Sequence, residues 1–220
     1  MIKLTSVSKQ YGDQIVLDNI NFSADEDEFV SIIGKSGVGK TTLLSILAGM
    51  VKPDSGKIIF QNQDITDYNE EQFANFRLMN IGIVFQDFKI IPALSVYNNV
   101  YLALHPRRDL NKQEKDKHIK NIVSQVGMSH KISQRIDDLS GGEKQRVAIA
   151  RSLVGNPKLV LADEPTGNLD TKTSASIMEL FQKLNKKLKT TFVIITHDKD
   201  IAAETQKKYE LTDKGLINHN

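Results

Sequence analysis

Nine consecutive residues constrain this chain more than any others: Gly34-Lys35-Ser36-Gly37-Val38-Gly39-Lys40-Thr41-Thr42. They satisfy the pattern G-x-x-x-x-G-K-[ST] at every fixed position. The glycines let the backbone fold tightly enough to turn its N–H groups inward onto a phosphate. Lys40 brings a positive charge to β and γ phosphates, and Thr41 a hydroxyl to Mg²⁺. The flanks agree. Phe29-Val30-Ser31-Ile32-Ile33 reads as a buried strand entering the loop. Leu43, Leu44, Ile46 and Leu47 with Ala48 read as a short buried helix leaving it and stopped at Gly49. Such a helix aims its positive N-terminal end at the same phosphates.

Around this unit the pattern changes twice. Residues 2 to 33 read as strands, with Tyr11-Gly12-Asp13 as a turn. Pro53-Asp54-Ser55-Gly56 is expected to turn into a strand at Lys57-Ile58-Ile59-Phe60. A short helix over 70–77 and a strand at Ile81-Gly82-Ile83-Val84 follow. From about Asp87 to Pro157 the chain reads as helical. Ser95 to Leu104 is one helix, and Ile119, Ile122, Val123 and Val126 share one face of another. Pro106-Arg107-Arg108-Asp109 between them reads as a solvated connection. The unbroken apolar runs Leu159-Val160-Leu161-Ala162 and Phe192-Val193-Ile194-Ile195 then suit parallel strands covered on both faces. A helix lies between these runs, with Ile177, Leu180, Phe181, Leu184 and Leu188 on one stripe and lysines near its end.

Two further groups carry chemistry. Asp163-Glu164 follows an apolar strand, which puts the acids at the carboxyl edge of a parallel sheet, where α/β proteins bind ligands. In phosphate-loop enzymes an Asp there holds Mg²⁺ through its water shell, and a Glu directly after it is placed to polarise a water towards the γ-phosphate. Leu139-Ser140-Gly141-Gly142-Glu143 opens a helix. Ser140 with Glu143 fits a capping box. Two bare glycines at a helix entry also make a second anion site.

Together these residues resemble the ATP-binding cassette (ABC) ATPases, the nucleotide-binding subunits of ABC transporters, over essentially the whole chain. The resemblance implies an α/β fold: a RecA-like phosphate-loop NTPase core with a mostly parallel sheet, an N-terminal antiparallel β subdomain and an inserted α-helical subdomain. Within one domain spanning 1–220, the core is expected at 1–86 and 158–220 and the helical part at 87–157. ATP and Mg²⁺ are the implied ligands. Tyr11 matches the aromatic that stacks on adenine, and Gln86 the glutamine that senses Mg²⁺ and the attacking water. Asp170 matches the loop crossing a dimer interface. His197 matches the histidine that contacts the γ-phosphate and orients Glu164. Thr41, Gln86 and Asp163 are thus the expected metal residues, and Glu164, His197, Gln86 and Lys40 the catalytic ones. Gly34 to Thr42 hold the phosphates in one chain, while Ser140, Gly141, Gly142 and Glu143 reach them from a second, head-to-tail copy.

Ordinary structural roles compete with these. Tyr11 is also a turn aromatic, Gln86 and Asp170 are also loop polars, and Asp170 is also a helix N-cap. Phe85, Phe88, Ile90, Ile91 and Leu94 suit either a groove for a permease helix or the helical insertion's own packing. The chain departs from the family pattern at Glu143, where many members have Gln, and at Lys35, where Pro is common; Thr41 replaces Ser with an equivalent hydroxyl.

Composition sets the outer limits. The 29 basic and 27 acidic residues leave a net +2, too little to argue for nucleic acid or an anionic membrane by bulk charge. The absence of cysteine excludes disulfides and thiolate metal sites. Met1-Ile2-Lys3-Leu4-Thr5 lacks a signal-peptide core, and no apolar run approaches the roughly 20 residues of a membrane span. The expectation is a cytoplasmic protein held to the inner face of the membrane by a separate integral-membrane permease. The runs Val84 to Phe88, Ile91 to Val96 and Ala162 to Asp170 are similar to the macrolide-export, lipoprotein-release and antimicrobial-peptide-resistance group, which implies export or extraction. The alternative is an ATP-gated scaffold of the cell-division type. A nucleic-acid role is set aside, since the chain has one cassette, no heptad array and no basic patch. The transported substrate is not encoded, because it touches the permease.

Overall fold

The computed structural model describes residues 1–219. A six-stranded sheet forms its middle layer, in the order β10-β9-β3-β8-β7-β6. Its strands are β3 (Phe29–Gly34), β6 (Ile81–Val84), β7 (Leu159–Asp163), β8 (Thr191–Thr196), β9 (Lys207–Thr212) and β10 (Gly215–Asn218). All neighbours pair in parallel except β9 and β10. A second, antiparallel sheet runs β2-β1-β4-β5, from β1 (Ile2–Tyr11), β2 (Gln14–Ala24), β4 (Ser55–Phe60) and β5 (Gln63–Asp64).

The two-residue period of a strand explains the layering. On β7, Leu159 and Leu161 join one apolar cluster, while Val160 and Ala162 join another. Val193 and Ile195 of β8 take the first side, Phe192 and Ile194 the second. The first cluster holds α1 (Lys40–Leu47) and the antiparallel sheet, through Leu4, Ile20, Leu43 and Ile58. The second holds α3 (Val96–Leu104), α4 (Lys112–Gln125), α5 (Gly141–Leu153) and α6 (Thr171–Leu188). Both faces of the sheet are therefore covered, as unbroken apolar strands require. Phe192 meets Phe29 and Phe181 edge-on at 6.0 and 5.6 Å and so ties β8 to β3 and α6. Removing such a ring from a filled core costs about 3–5 kcal/mol.

The α/β architecture with an antiparallel sheet and a helical stretch matches the expectation, and the differences are local. Ser55 and Gly56 already belong to β4, because Asp54 ends the turn by accepting from Lys9 Nζ and the Gln10 N–H, both at 2.7 Å. The helix expected at 70–77 continues as α2 (Glu70–Asn80), with an Asn69–Gln72 capping box at its start. The connection at 106–109 is pinned rather than merely solvated. Arg107 forks onto Asp109 at 2.8 and 2.7 Å and donates to the Gly155 carbonyl at 3.1 Å. That fork holds the Asp109 carboxyl down to about 2. The short α7 (Lys199–Ala203) and the β9–β10 hairpin were not foreseen.

Candidate active site

The phosphate loop runs from the end of β3 into α1. Gly39 sits at φ 105°, and a Cβ there would lie 2.9 Å from the Val16 carbonyl oxygen, so only glycine fits. Gly39 caps α1 with no side-chain hydrogen bond, which leaves the first N–H groups of that helix facing the loop. Lys40 Nζ folds back over the loop and donates to the carbonyls of Gly34 at 2.7 Å and Lys35 at 2.9 Å.

Facing the loop are the ends of β6, β7 and β8. A cleft of about 450 Å³ is lined by Ser36, Gly37, Gly39, Lys40, Thr41 and Thr42 together with Gln86, Asp163, Glu164, His197 and Val16. The lining comes from five separate stretches of the sequence, four of which meet at one edge of the parallel sheet, as expected of an open α/β sheet. Gly34, Lys35 and Val38 belong to the loop but do not line the cleft.

Glu164 is tightly held. Its backbone takes the left-handed conformation, φ 44°, and its N–H donates to the Ile195 carbonyl at 2.8 Å. One carboxylate oxygen lies 2.8 Å from His197 Nδ1, and the other accepts from Thr196 Oγ1 at 3.2 Å. Its side chain is only 14% exposed. Burial pushes the neighbouring Asp163 carboxyl up from its ordinary range; the charge of Glu164 adds to this and that of Lys40 opposes it. Gln86 extends beyond β6 with its backbone carbonyl accepting from Asn168 Nδ2 at 2.9 Å. A Cβ on Gly167 would come within 3.1 Å of Gln86 Nε2, so this glycine makes room for the glutamine.

The remaining candidates lie elsewhere. Ser140, Gly141, Gly142 and Glu143 line a separate hollow, shared with Asp170. Ser140 and Glu143 complete the capping box, and Lys131 Nζ reaches Glu143 at 2.5 Å. Asp170 caps α6 by accepting from the Thr173 N–H and hydroxyl at 3.0 and 2.6 Å. These same bonds lower its pKa. Tyr11 ends β1, 49% exposed as a residue, with Lys9 Nζ 5.4 Å from the ring centre; it does not line the cleft. Of the apolar cluster after β6, Ile90 packs against the second core while Ile91 stays 44% exposed.

Sequence reasoning passed over three polar side chains beside these groups. Gln145 of α5 is fully buried and donates to the Pro165 carbonyl at 2.5 Å, directly after Glu164. Arg151 reaches the carbonyls of Phe88 and Lys89, and Asn168 holds that of Gln86. Gln145 carried a signal, being a polar residue four before Ile149 on the buried stripe of a helix.

A glycine loop between strand and helix, opposed by two acids and a histidine, defines a phosphate-loop nucleotide-hydrolysing cassette. The chain belongs to the ABC transporter family, whose profile matches residues 17–167. It is 40% identical over 198 residues to the ABC transporter ATP-binding protein YtrE of Bacillus subtilis, covering 90% of this chain and 85% of that one. It is 38% identical over 218 residues to the macrolide export ATP-binding/permease protein MacB of Campylobacter jejuni, covering 99% of this chain but 34% of MacB. Its fold superposes with a TM-score of 0.87, at 36% identity and over 100% and 99% of the two chains, on the dimeric post-hydrolysis state of the ATP-binding cassette MJ0796 bound to ADP and Pi. The chain is the ATP-binding, ATP-hydrolysing subunit of an ABC transporter.

Proposed function

We propose that Glu164 is the general base that draws a proton from the water attacking the γ-phosphate, and that two copies of the chain close head to tail over each nucleotide. The observation that carries this is the division of the anion-binding groups. The phosphate loop, Gln86, Asp163, Glu164 and His197 line one cleft, while the Ser140-Gly141-Gly142 turn lines a different hollow. A γ-phosphate in the cleft is thus met by one half of its ligands from its own chain, and the turn is free to serve a second copy's nucleotide. The loop N–H groups and Lys40 bind the phosphates. Lys40 leaves the Gly34 and Lys35 carbonyls for phosphate oxygens as it does so. Thr196 and His197 fix both oxygens of Glu164 and so aim it. Gln86 orients the water, and Tyr11, exposed outside the cleft, stacks on adenine.

The donor set in the cleft suits Mg²⁺. The Thr41 hydroxyl, the Gln86 amide oxygen and the Asp163 carboxylate are hard oxygen donors, and the described residues contain no cluster of three or more His, Cys, Asp or Glu. That suits an ion most of whose ligands are phosphate and water oxygens. When bound, Mg²⁺ neutralises charge on the transferring phosphate.

The work is export or extraction driven through an integral-membrane permease, which holds this chain at the inner face of the membrane. MacB supports this reading, since an ATP-binding part like this chain is one piece of an export ATP-binding/permease protein. Among the described residues no helix is long and apolar enough to cross a membrane. Glu164→Gln is expected to lower ATP turnover at least 100-fold, as expected for loss of a general base, and to leave a stable dimer in ATP. Turnover and size-exclusion chromatography check both parts. A Glu164→Gln protein hydrolysing at the wild-type rate would remove the base assignment; one that stayed monomeric in Mg-ATP would remove the closure.

A further inference from the structure

We propose that Arg151 is a positioning residue for hydrolysis: it fastens the segment carrying Gln86 to α5 and so keeps the Gln86 side chain in the cleft. The proposal rests on the reading of Gln86 given above.

Between β6 and α3 the chain has no regular structure. Two adjacent non-glycine residues there, Phe88 and Lys89, are both left-handed, at φ 60° and 48°. A side chain is strained in that conformation, and such strain persists only where surrounding contacts enforce it. Arg151 supplies the contacts. Its Nη2 donates to the Phe88 carbonyl at 2.8 Å and its Nη1 to the Lys89 carbonyl. A planar guanidinium presents two such donors at a fixed spacing, which suits the two successive carbonyls of this twisted pair.

The same arginine has no carboxylate in ion-pair range among the described residues, and burial pushes its pKa below the ordinary guanidinium value. The two charge-assisted bonds to carbonyls offset the cost of half-burying the cation. Its contribution is the shape of the loop. The two ends of the segment are held independently. Asn168 holds the Gln86 carbonyl at 2.9 Å, and Asn99 bonds both the N–H and the carbonyl of Ile91, at 2.7 and 3.0 Å. In the middle, where the strain sits, the N–H groups of Phe88 and Lys89 bond within the segment to the Phe85 and Asp87 carbonyls, at 3.1 and 2.6 Å, and Arg151 is the side chain that bonds both carbonyls from another element. Without it Phe88 and Lys89 relax to ordinary φ, and the side chain of Gln86, whose carbonyl but not whose amide Asn168 holds, turns with them.

Strain relief gives the test. Arg151→Met in the purified full-length chain is expected to lower kcat about tenfold, the scale of a small misplacement of a catalytic group, with KM for ATP within about twofold because the phosphate loop is untouched. Lys89→Gly in the same protein is expected to recover at least half of that loss, since glycine takes the left-handed conformation without strain. Gln86→Ala with Arg151→Met is expected to be no slower than Gln86→Ala alone, because both act through one side chain. Wild-type kcat in Arg151→Met, additive losses in the double variant, or no recovery with Lys89→Gly would each overturn the proposal. If Arg151→Met does not fold, Arg151→Lys, which keeps the charge without the fork, is measured in its place; full turnover there overturns it equally. Wild-type turnover in Gln86→Ala would show instead that the reading of Gln86 had failed, and the clamp's purpose with it.

Discussion

Gly142 has two separable reasons to be glycine, and one pair of substitutions tells them apart. A Cβ at this position would lie 2.5 Å from Thr173 Cγ2 on α6. Carbon atoms in contact sit near 3.5–4.0 Å, so one side must yield by about 1 Å. Thr173 is poorly able to yield, because its hydroxyl and its N–H are both bonded to Asp170, at 2.6 and 3.0 Å. Overpacking of this kind costs about 1–3 kcal/mol. Against it stands the helix preference for alanine over glycine, at most about 1 kcal/mol in a helix interior and less in a first turn. Gly142→Ala should therefore destabilise the fold by roughly 1 kcal/mol. Thr173→Ser deletes the offending methyl and keeps the hydroxyl bonded to Asp170. In that background Gly142→Ala should be neutral or slightly stabilising, a coupling of about 1–3 kcal/mol between the two sites. Urea midpoints of the four proteins measure it, and additive effects would refute the steric argument. The second reason is chemical. If the Gly142 backbone must approach a second copy's γ-phosphate unshielded, the stable Gly142→Ala/Thr173→Ser protein still hydrolyses ATP slowly. Normal turnover in that protein would leave the glycine with a packing role alone.

Two other predictions concern α5. Glu143 has its pKa lowered, first by the bond from Lys131 and then by the Ser140 backbone. A depressed folded pKa means stability that is complete above the unfolded value of about 4.3 and is lost as pH falls through the folded value. Lys131→Met should cost no more than about 1 kcal/mol at pH 7, and the gap to wild type should shrink below about pH 4.3. A gap unchanged from pH 7 to pH 3 in denaturation curves would show that the pair contributes no linkage. Gln145→Met loses the bond to the Pro165 carbonyl, worth about 1 kcal/mol, but also removes Oε1, which no protein group reaches and whose burial costs about 1–3 kcal/mol. Stability should change by less than about 1 kcal/mol, while kcat falls several-fold because the residue after Glu164 is released; unchanged kcat would free Glu164 from dependence on this contact.

What could be read from the chain beforehand follows from where each constraint has its partner. The phosphate loop was legible because its requirement lies in its own backbone: Gly39 at φ 105° announces itself by being glycine. The Ser140 and Glu143 box was legible because its two halves are three residues apart. Arg151, Gln145 and Asn168 were not, since each bonds a backbone carbonyl 20 to 82 residues away, and a carbonyl carries no residue identity. The β9–β10 hairpin escaped for a related reason. Its inward residues Tyr209 and Leu211 alternate with polar ones over too short a run to read, and the Tyr209 hydroxyl is satisfied by the Ser23 carbonyl, far off in the sequence.

Asp163 and Glu164 show the limit most sharply. Their order after the strand tells them apart on paper, but not what holds each carboxylate in place. In the fold Asp163 ends a strand, and Glu164 turns to φ 44°, which swings its carboxylate to His197 and Thr196. That one dihedral separates the carboxylate whose pKa burial raises from the one two neighbours hold in aim, and it is held in part by the Glu164 N–H donating to the Ile195 carbonyl on the neighbouring strand. The division of labour proposed for the two acids therefore depends on the β7–β8 pairing, and substitutions that slip that register should abolish it even with both carboxylates intact.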